Sequence, residues 1–138
     1  MNTEAFHLRI ISPMKVVVDA HVPSAQIPGS EGEFGVLPGH ANFFSMLRPG
    51  VIVVKMSDGI RRRFFAATGY ADVTPISCTV ISDHIQDLAD ISMAEVDEAI
   101  HAAKTALAEA ETAEERAQAM QLLESSETLA RALKESNH

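Results

Sequence analysis

Cysteine is nearly absent from this chain. Its one cysteine, Cys78, cannot form an internal disulfide, so nothing points to a secreted, disulfide-stapled scaffold. Basic charge is scarce as well. Eleven Lys and Arg face 19 Asp and Glu, for a formal net charge of −8. That balance argues against non-specific nucleic-acid binding, which draws on cations displacing counterions from phosphate. Unbroken apolar runs stop at about four residues, far short of the ~20 that a membrane-spanning helix needs. Met1 to Arg9 carry no apolar signal-peptide run. Against these absences stands a 46% hydrophobic content. The chain is not a disordered tail, and at this length it can bury roughly two-thirds of its unfolded surface.

Glycine and proline are also missing from the whole second half. All seven Gly and all six Pro precede Ile76. Charge breaks in the same region. Residues 1–89 hold seven basic and eight acidic side chains, and residues 90–138 hold four basic and eleven acidic. So sharp a change of composition predicts two units, a domain over 1–88 and a second over 89–138.

The first half reads as short strands. Phe6, Leu8 and Ile10 alternate with His7 and Arg9, the period-2 pattern of a half-buried strand. Val16–Val18, Val51–Met56, Arg63–Ala67 and Thr79–Ile81 are further β-branched or aromatic runs. Asp58-Gly59 between two of them predicts a hairpin through a type I′ turn. Strands at this spacing imply a compact antiparallel sandwich or barrel.

The second half reads as helix. Val96, Ile100, Ala103 and Leu107 form one apolar stripe. Leu122, Ser126, Leu129 and Leu133 form another, thickened by Ala119, Leu123 and Ala130. Ser92-Met93-Ala94-Glu95 and Thr112-Ala113-Glu114-Glu115 both match the capping box, in which the Glu reaches back to the N–H of the cap residue. Helices over 93–110 and 113–134 follow. One continuous helix is the alternative, because no Gly or Pro marks the joint. Repulsion of Glu111 with Glu114 and Glu115 favours a break by a few tenths of a kcal/mol. Two striped helices then bury their stripes against each other as an αα-hairpin.

Catalytic and metal chemistry is hard to find. Gly29-Ser30-Glu31-Gly32-Glu33-Phe34-Gly35 lacks phosphate-loop spacing, and its two carboxylates repel phosphate. It is read as a bulged turn between strands. Glu31 and Glu33 as the acid and base of a small hydrolase would have to flank one bond, and two acids on one loop hardly face each other. They serve better as an acidic contact for a partner. Histidines 7, 21, 40, 84, 101 and 138 show no metal-ligand spacing, so no metal is expected. Cys78 reads as a small buried hydrophobe. Arg61, Arg62 and Arg63 are the only basic cluster and a candidate contact to an acidic partner surface.

A more specific likeness emerges from the loop. Gly29 to Ala41 resembles the segment G-(S/T)-E-G-E-(L/F)-G-(I/V)-L-P-G-H-A of the epsilon subunit of F-type ATP synthase. Leu47-Arg48-Pro49-Gly50 resembles the family's L-K-P-G. Phe65 to Val73 resembles F-x-x-S-G-G-F-x-E-V, and Thr79 to Asp83 resembles V-T-V-L-A-D. The likeness covers nearly the whole chain.

The resemblance implies a β-sandwich of about ten short antiparallel strands followed by a C-terminal antiparallel helical hairpin. It implies a non-catalytic rotor subunit that couples rotation of the c-ring to the catalytic head through gamma. Glu31, Glu33 and His40 would lie where the sandwich meets the c-ring and gamma, and the C-terminal helices would reach the alpha and beta subunits. No cofactor, nucleic acid or direct lipid insertion is implied. The expected location is peripheral, on the cytoplasmic face of a bacterial inner membrane. In some members an I-D-x-x-R-A motif binds ATP and holds the hairpin folded. Here Ser92 stands at the Asp position and Glu95 at the Arg position, and a carboxylate repels a triphosphate. No nucleotide binding is therefore expected, and the acidic hairpin should inhibit hydrolysis only weakly. The competing reading is a stand-alone sandwich binding module with a helical dimerisation tail.

Overall fold

A computed structural model describes residues 4–136; His138, among the histidines named above, lies outside them. The chain divides into two compact units, with the break between Asp87 and Leu88.

The first unit is ten strands in two five-stranded sheets. The strands are β1 (Phe6–Ile11), β2 (Val16–Val22), β3 (Ser24–Gly29), β4 (Gly32–Val36), β5 (Phe43–Met46), β6 (Gly50–Lys55), β7 (Arg61–Ala66), β8 (Tyr70–Val73), β9 (Ser77–Ile81) and β10 (Ile85–Asp87). The first sheet runs β2-β1-β9-β8-β5 and the second β10-β7-β6-β3-β4. Neighbours pair antiparallel except β1 and β9, which run parallel in register from His7 opposite Ser77 to Ile11 opposite Ile81. The core comes from alternation. Phe6, Leu8 and Ile10 from β1 are fully buried, as are Ile52 and Val54 from β6 and Phe64 from β7. At roughly 1.5–3 kcal/mol per fully buried large side chain, this core is the main source of the sandwich's stability.

The Asp58-Gly59 turn differs from the expected type I′. No described non-glycine residue has a positive φ, and only Gly59, at φ 88°, takes that conformation here. The loop holds three residues, Ser57 to Gly59, closed by Met56 N–H donating to Ile60 O at 2.8 Å and Gly59 N–H donating to Met56 O at 2.9 Å. The Asp58 carboxylate accepts from Ile60 N–H at 2.9 Å. That bond favours a non-left-handed Asp58 and leaves the single positive φ to glycine, as in three-residue hairpin loops.

The second unit is a short 3₁₀ turn (Leu88–Asp90), then α1 (Met93–Glu109) and α2 (Ala113–Ser136), packed along each other as a hairpin. Ser92 caps α1 with both bonds of the box in place: its hydroxyl accepts from Glu95 N–H, and the Glu95 carboxylate accepts from Ser92 N–H. Such a cap contributes about 1 kcal/mol. The second cap departs from the expected box. Thr112 Oγ1 accepts from Glu115 N–H at 3.0 Å, but Glu115 Oε2 accepts from Glu111 N–H at 2.9 Å, one residue before the cap. This bond ties Glu111 into the turn despite the like charges, and the chain breaks at Ala110–Thr112. Val96, Ala103, Ala119, Ser126, Leu129, Ala130 and Leu133 are buried as the stripes predict. Leu122 does not follow its stripe and is 52% exposed, while Ala132 is buried in its stead; the inward face of α2 is centred closer to Ala119, Leu123 and Ser126 than to Leu122.

Two outcomes follow. Gly69 sits at φ 134°, and a Cβ there would lie 2.0 Å from the Ile81 carbonyl oxygen; Gly32, at φ 139°, has nothing within 4 Å of that position. Gly69→Ala should cost roughly 3 kcal/mol or more, and Gly32→Ala only about 1–2 kcal/mol of backbone strain, read by denaturant unfolding. Burial, with a smaller push from Asp72, raises the Cys78 thiol to about 12 from its ordinary 9.0. The unfolded thiol ionises first as pH rises. Stability should therefore be unaffected by this group below pH 9 and fall between pH 9 and 12. Cys78→Ala should flatten that limb of a pH–stability profile.

Candidate functional site

Edge strand β4 of the second sheet and edge strand β5 of the first come together on one side of the sandwich, where Phe34 and Phe43 meet and both strands line one hollow. Backbone bonds join the β3–β4 hairpin to the end of β5: Ser30 N–H donates to Met46 O at 2.8 Å and Arg48 N–H to Pro28 O at 3.1 Å, while within the first sheet Leu47 N–H donates to Gly69 O at 2.9 Å. Gly29 and Leu47 form an isolated bridge. Gly29 permits this approach, because a Cβ there would meet Gly32 O at 2.8 Å and Ser45 Oγ at 3.0 Å.

The segment read as a bulged acidic loop is instead a tight hairpin. Gly29 pairs with Gly32 and Pro28 with Glu33, so Ser30 and Glu31 alone form the turn. Glu31 is at its exposed tip. Glu33 is an exposed residue of β4 itself, and its Oε2 accepts from Gln26 Nε2 at 3.2 Å. Beside them opens a hollow of about 420 Å³ whose walls include Glu31, Glu33, Phe34, Phe43, Phe44 and Met46.

The aromatic side chains here are the part that sequence reasoning missed. Phe43 is 43% exposed, Phe44 58% and Met46 53%. Phe43 meets Phe34 edge to face at 5.0 Å, and Phe44 lies against Tyr70 at 5.2 Å. Leu37, in the connection that follows β4, is exposed too. Singly exposed apolar residues are ordinary, but a contiguous group marks a contact surface. The available signal was the Phe43-Phe44 pair itself: adjacent strand residues point to opposite faces, so at an edge at least one must meet solvent.

His40 sits half-buried in the connection between β4 and β5. Its Nδ1 is 2.6 Å from Ala41 O. A carbonyl only accepts, so Nδ1 carries the proton and Nε2 is left to a partner. Gly39 N–H donates to Pro75 O at 2.8 Å, which anchors this connection to the turn before β9. His40 and Phe43 have ring centroids 6.3 Å apart. Glu31, Glu33 and His40 thus border one aromatic surface.

The three arginines do not stay together. They begin β7, where alternation sends Arg62 to the face of Phe64 and Arg61 and Arg63 to the other. Arg62 pairs with Asp87 at 3.1 Å and lies 4.8 Å over the Phe64 ring. Ser92 and Glu95 are committed to the α1 cap.

On the outer face of the first sheet, His7 and His21 stack at 4.9 Å and His7 bonds to Asp19. That hydrogen bond holds the Asp19 carboxyl below its ordinary range. Stacked rings direct their nitrogens in plane rather than toward a common point. Among the described residues no group of three or more His, Cys, Asp or Glu side chains is arranged to hold a metal ion. No described helix is long and apolar enough to cross a membrane.

Comparison with known proteins agrees with this geometry. The family described as "ATP synthase, Delta/Epsilon chain, beta-sandwich domain" matches residues 5–87. The ATP synthase epsilon chain of Rhodospirillum rubrum is 37% identical over 131 residues, which span 95% of this chain and 98% of the relative. That of Hyphomonas neptunium is 39% identical over 106 residues, spanning 77% and 78%. Among solved structures, a chain of the Euglena gracilis mitochondrial ATP synthase (OSCP/F1/c-ring, rotational state 1) shares the fold with a TM-score of 0.82 at 23% identity, over 94% of this chain and 82% of that one. A chain of the Tetrahymena thermophila mitochondrial ATP synthase central stalk and c-ring does so at a TM-score of 0.66 and 10% identity, over 96% and 99%. With sandwich, helical hairpin and near full-length kinship in agreement, the chain belongs to the ATP synthase epsilon chains, non-catalytic subunits of the ATPase complex.

Proposed function

We propose that the chain works docked in the central stalk through the β4–β5 side of its sandwich, coupling c-ring rotation through gamma to the catalytic head. One observation carries this reading: the exposed Phe43, Phe44 and Met46 lie beside Glu31, Glu33 and His40 where the β3–β4 hairpin is bonded to the end of edge strand β5. An apolar patch rimmed by acids fits a partner with an apolar surface and polar, basic loops. Glu31 and Glu33 face the loops of the c-ring, and His40 with the aromatic patch faces gamma. The domain of residues 1–88 does this work. The domain of residues 89–138 reaches alpha and beta and inhibits hydrolysis weakly, because its eleven acidic residues outnumber its four basic ones, and it takes no nucleotide, because Ser92 and Glu95 are used in capping. The complex places the chain peripherally on the cytoplasmic face of a bacterial inner membrane.

The test is add-back to ATP synthase stripped of this subunit. The wild-type chain should bind and restore coupling of proton pumping to hydrolysis, while slowing ATP hydrolysis less than about twofold. Phe44→Glu should weaken binding by about tenfold or more, as truncation of a buried aromatic anchor does. Met14→Glu, at a turn residue 90% exposed outside this surface, should bind as wild type. Equal binding by all three chains would remove the β4–β5 side from the interface. Strong inhibition that disappears when residues after about 90 are deleted would overturn the weak-brake reading.

A further inference from the structure

The second sheet carries a charge arrangement that the β4–β5 surface does not use. On its face away from the sandwich core, Lys55 of β6 stands directly opposite Arg61 of β7, and Arg63 stands opposite Val53. Ser24 and Gln26 of β3 continue the two rows. Lys55 and Arg61 are exposed and Arg63 is half-buried. Among the described residues no carboxylate pairs with any of the three, since the only arginine ion pair formed is that of Arg62 with Asp87. Like charges directly opposite on a sheet are destabilising. A strand pair that keeps them pays for it in the isolated chain.

We infer that Lys55, Arg61 and Arg63 form a docking point for carboxylate side chains of another subunit of the same assembly. The inference rests on the reading that this chain works docked in the ATP synthase. Two guanidinium forks on one face, about 7 Å apart along β7, suit bidentate carboxylate pairing. Lys55 adds a point charge about 5 Å across the strand pair. The ligand is thus a protein surface with two or three carboxylates spaced by about 5–7 Å. An anionic membrane suits the corner less well. Headgroup recognition draws on clusters of about 4–8 cations, and the chain as a whole carries −8. The same face also holds Glu33 at β4, about three strand spacings or ~14 Å away. One sheet face thereby presents acid at one edge and base toward the other, and a docked partner is held in one orientation rather than two.

The decisive variant is K55Q/R61Q/R63Q in the full chain, bound to stripped ATP synthase between about 50 and 300 mM salt, over which the Debye length falls from about 14 Å to about 6 Å. Wild-type affinity should fall as salt rises. The triple variant should bind about tenfold more weakly at low salt, with a flattened salt dependence, while its thermal midpoint holds or rises because the opposed charges are gone. In the docked wild type, a carbodiimide should condense the Lys55 amine with a carboxylate of another subunit, the carboxylate oxygen leaving on the urea by-product. Mass spectrometry should locate that amide. Equal affinity and equal salt slope, or no Lys55 amide to another subunit, would overturn the inference and leave the proposed function standing. Loss of binding to vesicles of anionic phospholipid, with binding to stripped enzyme unchanged, would assign the corner to lipid and overturn it too. Failure of the wild-type chain to bind stripped enzyme would instead refute the proposed function, and this inference with it.

Discussion

The seam between Gly29 and Leu47 organises the first unit. Two sheets packed face to face are held by core burial alone unless something joins their margins. Here two backbone bonds tie the β3–β4 hairpin to the end of β5, from Ser30 N–H to Met46 O and from Arg48 N–H to Pro28 O, beside the Gly29–Leu47 bridge. The seam depends on Gly29, where a Cβ would press on Gly32 O at 2.8 Å and on Ser45 Oγ of β5 at 3.0 Å. Once it is closed, the Ser30-Glu31 turn cannot swing away from β5, and acids and aromatics are held on one surface. A rigid platform loses little conformational freedom when a partner docks, and more of the contact energy then appears as affinity.

Much of the architecture is legible from residue patterns. Phe6, Leu8 and Ile10 announced β1, and the Val51–Met56 run announced β6 to within a residue. Ser92 and Thr112 marked both helix starts. The patterns are weakest where strands are short or glycine-rich. β4 has two glycines in five residues, and β10 is three residues long. These segments are strands because neighbouring backbones offer them hydrogen bonds, which no local propensity records. The turn at Asp58 failed for a related reason: its carboxylate found a backbone N–H two residues on, and that bond selected the loop.

The proposed contact surface is legible in its polar members and hidden in its apolar ones. Glu31, Glu33 and His40 stand out through a recognisable segment, whereas Phe43, Phe44 and Met46 fall in none of the runs read as strands. Exposure is a property of the fold, decided by β5 being an edge. The arginine triplet shows the converse. Three adjacent charges look like one patch in sequence, yet strand alternation separates Arg62 from its neighbours and leaves Lys55, six residues before Arg61, as their true companion. Charge along a strand must be read every second residue and across the ladder.

The one parallel pairing has a consequence for how the chain acquires its shape. β1 lies between β2 and β9, and its ladder to β9 joins His7 to Ser77 and Ile11 to Ile81, residues separated by most of the domain. Closing so long a loop carries its entropic cost before the contacts reward it. During synthesis the first sheet therefore waits for Ile81 to emerge from the ribosome, with the β1–β2 hairpin holding one flank open. The helical unit, whose contacts are local, carries no such delay. The last part of the chain to be made is thus among the quickest to fold, and the first strand made is among the last to gain its second neighbour.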